Sequence, residues 1–380
     1  VTREVEDPGI LDDNGHPLLW SARAGVVERA VYTRHLRHVW GMPRTVLGMA
    51  HWPPSVGTHL HRHWNYWWQA HLLDCLVDAQ LRHPVPARVT MIERLMRGIR
   101  RRNGRSWTND YYDDMAWLGL ALLRAETEIY LPCEVPIRQL LEQLRDGWTD
   151  HAGGGIWWRR GDDFKNVPAN APAAILLARW ARLADERVDA QRAIAMVDWM
   201  EELLLDRGTG LLHDGLHVSP DGGIRGIETA IYTYCQGAFL GACLELAELG
   251  HQQRINVRRA ERTISAVAEY LSDQGVLHGQ GGGDGGLFAG ITARYLAQAA
   301  LRMPAMGSEF GELAAGVVFA SAEAAWRNRG VVTGGPLISP QWTEPAMAPR
   351  STGSEVAERD LSVQLSGWTL FEAAALLERT

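Results

Sequence analysis

Apolar residues recur along the chain at helical spacing, and no stretch shows a convincing alternation of the kind a half-buried strand requires. Twelve helical segments can be marked, near residues 20–40, 64–82, 87–102, 112–128, 134–148, 168–184, 188–206, 229–249, 253–273, 286–302, 308–328 and 360–378, separated by Gly- and Pro-rich loops. They differ systematically. The odd members, such as 87–102 and 188–206, carry many Arg and Glu, as an outer layer would. The even members, such as APAAILLARWARLA and YTYCQGAFLGACLELAEL, are apolar and rich in small residues, as a buried inner layer would be. Twelve helices alternating in this way predict an all-α fold of six hairpins closed into a toroid, an (α/α)6 barrel, with residues 1–380 forming one domain.

In such a barrel the inner helices all run the same way, so the segments leading into them crowd one face. The unusual residues of this sequence sit in those segments. Trp64, Asn65, Tyr66, Trp67 and Trp68 open the first inner helix, and Tyr112, Asp113 and Asp114 the second. Trp157, Trp158, Lys165 and Asn166 precede the third. Tyr234 and Gln236 open the fourth, a Gly-rich run containing Asp284 and ending at Phe288 precedes the fifth, and Gln364 opens the sixth. Ordinary helix capping does not require so many polar and aromatic groups at six helix starts.

The stretch Ser106–Ala125, SWTNDYYDDMAWLGLALLRA, carries the sharpest candidate chemistry. Asn109 and Asp110 are candidate N-caps, and Met115, Leu118, Leu122 and Ala125 form an apolar face. Asp113 and Asp114 fall in the first turn. Adjacent helical residues diverge by about 100°, so the two carboxyl groups can flank one bond, as a glycosidase requires. Adjacent Cα atoms lie about 3.8 Å apart. That separation suits the roughly 5–5.5 Å between carboxyls of a retaining pair better than the roughly 6.5–9.5 Å of an inverting one. The competing explanation is that Asp commonly sits in a first turn because it satisfies free N–H groups and the helix dipole.

Composition removes several alternatives. With 46% hydrophobic residues the 380-residue chain can bury a large core. A net charge of −7 and the lack of a basic run argue against nucleic-acid binding, and no 18-residue apolar stretch predicts a membrane span. Cys75, Cys133, Cys235 and Cys243 form no CxxC pair. Cys235 and Cys243 share one predicted helix, about 12 Å apart by helical rise, too far to bridge. Free thiols, together with the acidic N-terminal VTREVEDPGILDDNGHP, which does not read as a signal peptide, lead us to expect a cytoplasmic protein. A processed extracellular or cell-wall chain would look the same. Sixteen Trp are many for this length, and aromatic faces line sugar sites as well as cores. Lys165 is the sole lysine, all other basic residues being Arg. His59, His61 and His63 form an alternate-His run without a nearby carboxylate, so no metal site and no cofactor are expected. Asp110, Asp113 and Asp114 resemble the acidic clusters that hold Mg²⁺ in all-α terpenoid enzymes, but no second acidic motif or diphosphate-binding cluster accompanies them. The run Gly279–Gly286 lacks the Lys-Ser/Thr ending of a phosphate loop.

The stretches YWWQAHLLDCLVDA, TNDYYDDMAWLGLALLRA, GGIWWRRGDDFKNVPANAPAAIL, GLLHDG, YTYCQGAFLGACLEL and LSVQLSGWTLFEAAALLER resemble family 76 glycoside hydrolases, the endo-α-1,6-mannanases, over most of the chain. The paired Asp followed by Met-Ala-Trp-Leu, taken with Gly-Gly-Ile-Trp-Trp and Lys-Asn, makes the match specific. The resemblance implies an (α/α)6 fold and a retaining, metal-free cleavage of α-1,6-linked mannan, with Asp113 as nucleophile and Asp114 as acid/base. It implies sugar contacts from Trp64, Asn65, Tyr112, Trp157, Trp158, Lys165, Asn166, Asp214, Tyr234, Gln236 and Phe288, and a mannose-containing glycan or glycolipid as partner. On the residues alone, Lys165-Asn166 reads as a loop charge and helix cap, and Asp214 equally well as a turn residue. The chain departs from the family at Cys235, where Asn is usual, and at Ala289 and Thr292, where Lys and Phe are frequent; both bear on distal subsites. A transglycosidase using the same residues, and a non-catalytic mannan-binding protein, are the alternatives; the intact Asp pair argues against the second.

Overall fold

The structure is a computed structural model and describes residues 18–250 and 252–380. The acidic N-terminal stretch discussed above lies outside the described residues. Among them are twelve helices of 13 to 18 residues, labelled here in chain order: α1 (Leu19–His35), α2 (Tyr66–Arg82), α3 (Pro86–Arg102), α4 (Tyr112–Ile129), α5 (Glu134–Asp146), α6 (Val167–Ala184), α7 (Arg187–Leu204), α8 (Thr233–Glu248), α9 (Gln253–Tyr270), α10 (Phe288–Arg302), α11 (Phe310–Arg327) and α12 (Leu361–Glu378). The even helices pack in sequence, α2 on α4, α4 on α6 and so on, and α12 returns to α2, closing an inner ring. Each odd helix packs on the outside of its inner neighbour. This is the (α/α)6 barrel that the sequence pattern predicts.

The two layers bury themselves differently for a reason visible in their residues. In α5 the side chains of Ile137, Leu140, Leu141 and Leu144 are buried, a single stripe at i, i+3, i+4, i+7, and the opposite face is charged. Inner helix α6 is buried continuously from Val167 to Ala178, because it has neighbours on every side. Small residues let inner helices approach closely: a Cβ on Gly237 of α8 would lie 2.6 Å from the Cα of Thr292 in α10.

A repeated polar device joins the lead-in loops to the inner ring. Gln69, Asn170, Gln236 and Gln364 each occupy the fourth residue of an inner helix and are almost wholly buried. Each side-chain amide pairs with both backbone groups of one loop residue. Gln69 takes the N–H of Gly48 (2.8 Å) and donates to its carbonyl (3.0 Å). Asn170 does the same with Ile156 (2.8 and 3.0 Å), Gln236 with Leu212 (2.8 and 2.9 Å) and Gln364 with Ile338 (3.1 and 3.0 Å). Each amide also donates to a carbonyl just ahead of its helix. Buried backbone groups that would otherwise lack partners are thereby satisfied.

Short strands depart from the expectation of a strand-free chain. β1 (Phe164–Asn166), β2 (Gly215–Val218) and β3 (Ile224–Glu228) form an antiparallel sheet in that order, with Lys165 opposite Leu216 and Leu216 opposite Ile227. Segments of three to five residues are too short to show alternation. The helix expected over 229–249 begins only at Thr233, after a non-helical connection that follows β3 and ends in extended Tyr232.

Candidate active site

The N-terminal ends of the inner helices surround a cleft of ≈ 730 Å³. Its walls come from the lead-ins of α2 (Trp64, Asn65, Trp67), α4 (Asn109, Asp113, Asp114), α6 (Trp158), α8 (Tyr232, Tyr234) and α10 (Asp284, Phe288). Five of the six lead-ins predicted to share one rim therefore meet here, and the sixth, before α12, supports the α10 loop from behind: the Gly283 N–H donates to Asp360 Oδ2 at 2.7 Å.

The twin Asp are held by separate sets of donors. Asp113 Oδ1 accepts the backbone N–H of Asp114 (2.9 Å), and its Oδ2 accepts the indole N–H of Trp158 (3.0 Å). Asp114 Oδ2 accepts the Asn109 side-chain amide at 2.5 Å. Asn109 is not the expected N-cap. Helix α4 starts at Tyr112 after an uncapped Tyr111, and Asn109 Oδ1 takes the Tyr111 N–H (3.0 Å), which turns the chain so that its amide reaches Asp114. Trp158 is delivered by a zipper between loops. The Tyr112 N–H donates to the Trp158 carbonyl (2.9 Å), and the Trp158 N–H to that of Phe164 (2.9 Å).

Burial raises the proton affinity of both carboxyls. Asp113 is pushed up less, because its two N–H donors favour the anion; the nearby Asp284 charge opposes them. Asp114 is held well above the ordinary carboxylate range by burial and then by the charge of Asp113, against the donors from Asn109 and the Trp67 backbone. The pair thus titrates as a unit in which Asp113 gives up its proton first. That is the asymmetry an acid and an anion working side by side need.

An aromatic wall faces the pair. Tyr234 and Phe288 stack with centroids 3.9 Å apart and an interplanar angle of 11°. Trp67 lies beside both, at 6.2 and 6.3 Å. Asn65 holds a backbone φ of +43° immediately before α2, a conformation rare outside Gly, and so turns Trp64 and Trp67 toward the opening. His63 lines the cleft and His61 is buried. Among the described residues no group of three or more His, Cys, Asp or Glu is placed to hold a metal ion, and no helix is long and apolar enough to cross a membrane.

Of the predicted sugar contacts, Trp64, Asn65, Trp158, Tyr234 and Phe288 line the cleft. Six others do not line it. Tyr112 is buried with its ring over Gly147. Trp157 packs on His151 (5.8 Å) and under the Lys165 ammonium (4.7 Å). Lys165 is wholly buried in β1, and its Nζ donates to the carbonyls of Thr149, His151, Gly154 and Gly155 at 2.6–3.0 Å. Burial pushes its pKa down to about 8. Asn166 is the N-cap of α6, accepting the Ala169 N–H at 3.2 Å. Gln236 is the buried loop clamp described above. Asp214, half-buried, lies near Tyr232 and Tyr234 with Cys235 Sγ 3.9 Å from its Oδ1, and burial, then Glu228, pushes it up to about 7. Asn109 and Tyr232 line the cleft without having been expected there, and Trp67 and Asp284, expected on the rim but not as sugar contacts, line it too. The one signal for Asp284 was an acidic residue inside a glycine run.

A family model described as glycosyl hydrolase family 76 matches residues 27–378. A search of curated proteins finds no match. Among solved structures, the GH76A α-1,6-mannanase from Salegentibacter sp. HEL1_6 is 31% identical, with a TM-score of 0.81 over 94% of this chain and 99% of that one. An inactive variant of that protein, with two consecutive Asp replaced, was solved in complex with α-1,6-mannotetraose and matches at 30% identity, TM-score 0.81, over 94% and 99% of the two chains. The Lin0763 protein from Listeria innocua matches at 28% identity and a TM-score of 0.80, over 94% of this chain and 97% of its own.

Proposed function

The chain belongs to glycosyl hydrolase family 76, and from that premise we propose that it cleaves α-1,6-linked mannose chains with retention of configuration at the anomeric carbon. The observation that carries the reading is the twin Asp in the cleft, each carboxyl fixed by its own donors. The similar α-1,6-mannanase, whose inactive variant lacks two consecutive Asp and holds α-1,6-mannotetraose, supports the choice of substrate and of residues.

In the first step Asp113, ionised, attacks the anomeric carbon while Asp114 gives its proton to the leaving oxygen. The C–O bond to the departing sugar breaks as the bond to the Asp113 carboxylate forms. In the second step Asp114, now ionised, takes a proton from water, whose oxygen attacks the same carbon and releases Asp113. Two displacements restore the α configuration. Trp158 and the Asp114 N–H keep the Asp113 carboxylate aimed, and Trp64, Asn65, Tyr234 and Phe288 hold the flanking sugars. Aromatic faces suit the apolar C–H faces of pyranose rings.

The test is NMR of the first product formed from α-1,6-mannan. The α-anomer supports retention; an initial β-anomer means inversion and overturns the roles assigned to the two Asp. Asp113→Asn should abolish glycosyl-enzyme formation. Asp114→Asn should still react with an aryl α-mannoside, which needs no proton, and then stall. Azide should release it as the α-glycosyl azide. Products longer than the substrate would identify transglycosylation as the dominant outcome.

A further inference from the structure

The glycine-rich lead-in to α10 presents a third carboxylate that the mechanism above leaves unused. Asp284 Oδ1 accepts two indole N–H groups, from Trp67 and Trp68, both at 2.9 Å. Its Oδ2 has no hydrogen-bond partner among the described residues, and the side chain is exposed on the cleft. The loop is built to place it there. A Cβ on Gly282 would lie 2.7 Å from the Asp360 carboxylate, and one on Gly285 would lie 2.0 Å from the Gln280 carbonyl oxygen. The run of glycines is therefore what allows this segment to press against the base of α12. Asp360 is itself braced by His51 (2.8 Å).

Trp67 ties Asp284 to the catalytic pair, since its backbone lies near enough to Asp114 to favour that carboxylate and its indole bonds Asp284. Asp284 shares the cleft with Asp113 and lies near enough for its charge to act on that carboxyl, within reach of a sugar bound there. We propose that Asp284 is a specificity-determining residue, its Oδ2 accepting a hydroxyl of the glycosyl unit that Asp113 attacks. This rests on the reading of the cleft as a glycoside site. With Oδ1 committed to two rigid indoles, the carboxylate cannot rotate away, so its second oxygen selects sugars that offer a hydroxyl at that place. A charged acceptor makes the stronger class of hydrogen bond.

Asp284→Asn keeps a carbonyl oxygen for the indoles but turns an N–H₂ toward the sugar. It should leave the thermal midpoint and the tryptophan emission near those of the wild type and lower kcat/KM on an aryl α-mannoside by on the order of 10- to 100-fold. Asp284→Ala, which also frees the indoles, should in addition shift the emission. With aryl α-mannosides lacking one hydroxyl each, at C2, C3, C4 or C6, one analogue should show no further loss in Asp284→Asn. Equal losses for all four analogues, or unchanged kcat/KM, would overturn the proposal. A second arm titrates α-1,6-mannotriose into the Asp113→Ala/Asp114→Ala protein with and without Asp284→Asn. Weaker binding there, even if the parent protein proves not to hydrolyse mannan, upholds Asp284 and rejects the activity. Mannan hydrolysis with unchanged trisaccharide affinity does the reverse, and absence of both binding and hydrolysis rejects both.

Discussion

At the residue scale, the division of labour between two chemically identical neighbours is set by who donates to whom. Asp113 receives two N–H donors that stabilise its anion, while Asp114 receives the repulsion of Asp113. Activity requires Asp113 ionised and Asp114 protonated, so kcat/KM should be bell-shaped in pH, with Asp113 setting the acid limb and Asp114 the alkaline one. Trp158→Phe removes one donor to the Asp113 carboxylate. Its pKa then rises, and the acid limb should move to higher pH by about one unit. A pH profile in which that limb stays in place would show that Trp158 contributes packing alone. The twin Asp were legible in the sequence because both belong to one helical turn. Their asymmetry was not, because Trp158 arrives from a loop 45 positions away.

At the element scale, the buried amides explain why polar residues recur at the starts of inner helices without touching the cleft. Gln69, Asn170, Gln236 and Gln364 share one register, the fourth helical position, and one task. Gln236→Leu would strand both backbone groups of Leu212, and we expect it to cost about 2–4 kcal/mol in urea unfolding. The KM of the folded fraction should be unchanged; a raised KM with full stability would restore Gln236 as a sugar contact. Lys165→Met should behave likewise, leaving the Thr149 and Gly154 carbonyls without the ammonium donor and those of His151 and Gly155 with a backbone N–H alone. We expect a loss of about 3 kcal/mol or more in the same assay. The sole lysine stood out in the sequence, yet its scarcity says nothing about the direction of its side chain. Asn166 caps α6, the role its residue type alone suggests.

At the scale of the whole molecule, the two ends of the barrel are built on opposite plans. The helix starts form the cleft, and the C-terminal ends of the inner helices close around a charged network. Arg124 and Arg294 bridge Asp74 and Asp78, and Glu245 takes Arg179 (2.9 Å) and Arg302 (3.0 Å). Burial pushes the Glu245 carboxyl up, but Arg179, Arg302 and Arg182 outweigh it and hold the pKa at about 2. A carboxylate with a depressed folded pKa contributes stability that is fully present above its unfolded value, about 4.5. That contribution is lost as pH falls from there toward 2. Asp74, also held at about 2 once Arg124 and Arg294 outweigh its burial, behaves the same way. Acid unfolding should therefore be steep across that window. Arg124→Met, which leaves Asp74 and Asp78 short of a cation, should cost about 3–5 kcal/mol at neutral pH, measured by denaturant titration. The four Cys are free and buried. Thiol titration should count four after denaturation and react slowly before it, because burial pushes each thiol up.

The sequence by itself determined the twelve helices, their sorting into two layers and the position of the Asp pair. These depend on periodicity and on neighbours within a turn, which any window of the chain displays. Only the tertiary structure decided which polar residues of the lead-ins look into the cleft and which look into the protein. Lys165, Asn166 and Gln236 turn inward because buried carbonyls and N–H groups of distant loops require partners. Asp284 turns outward because two indoles 216 and 217 positions away take one of its oxygens and leave the other free. Such choices are made by contacts across the closed ring, and no local pattern of residues encodes them.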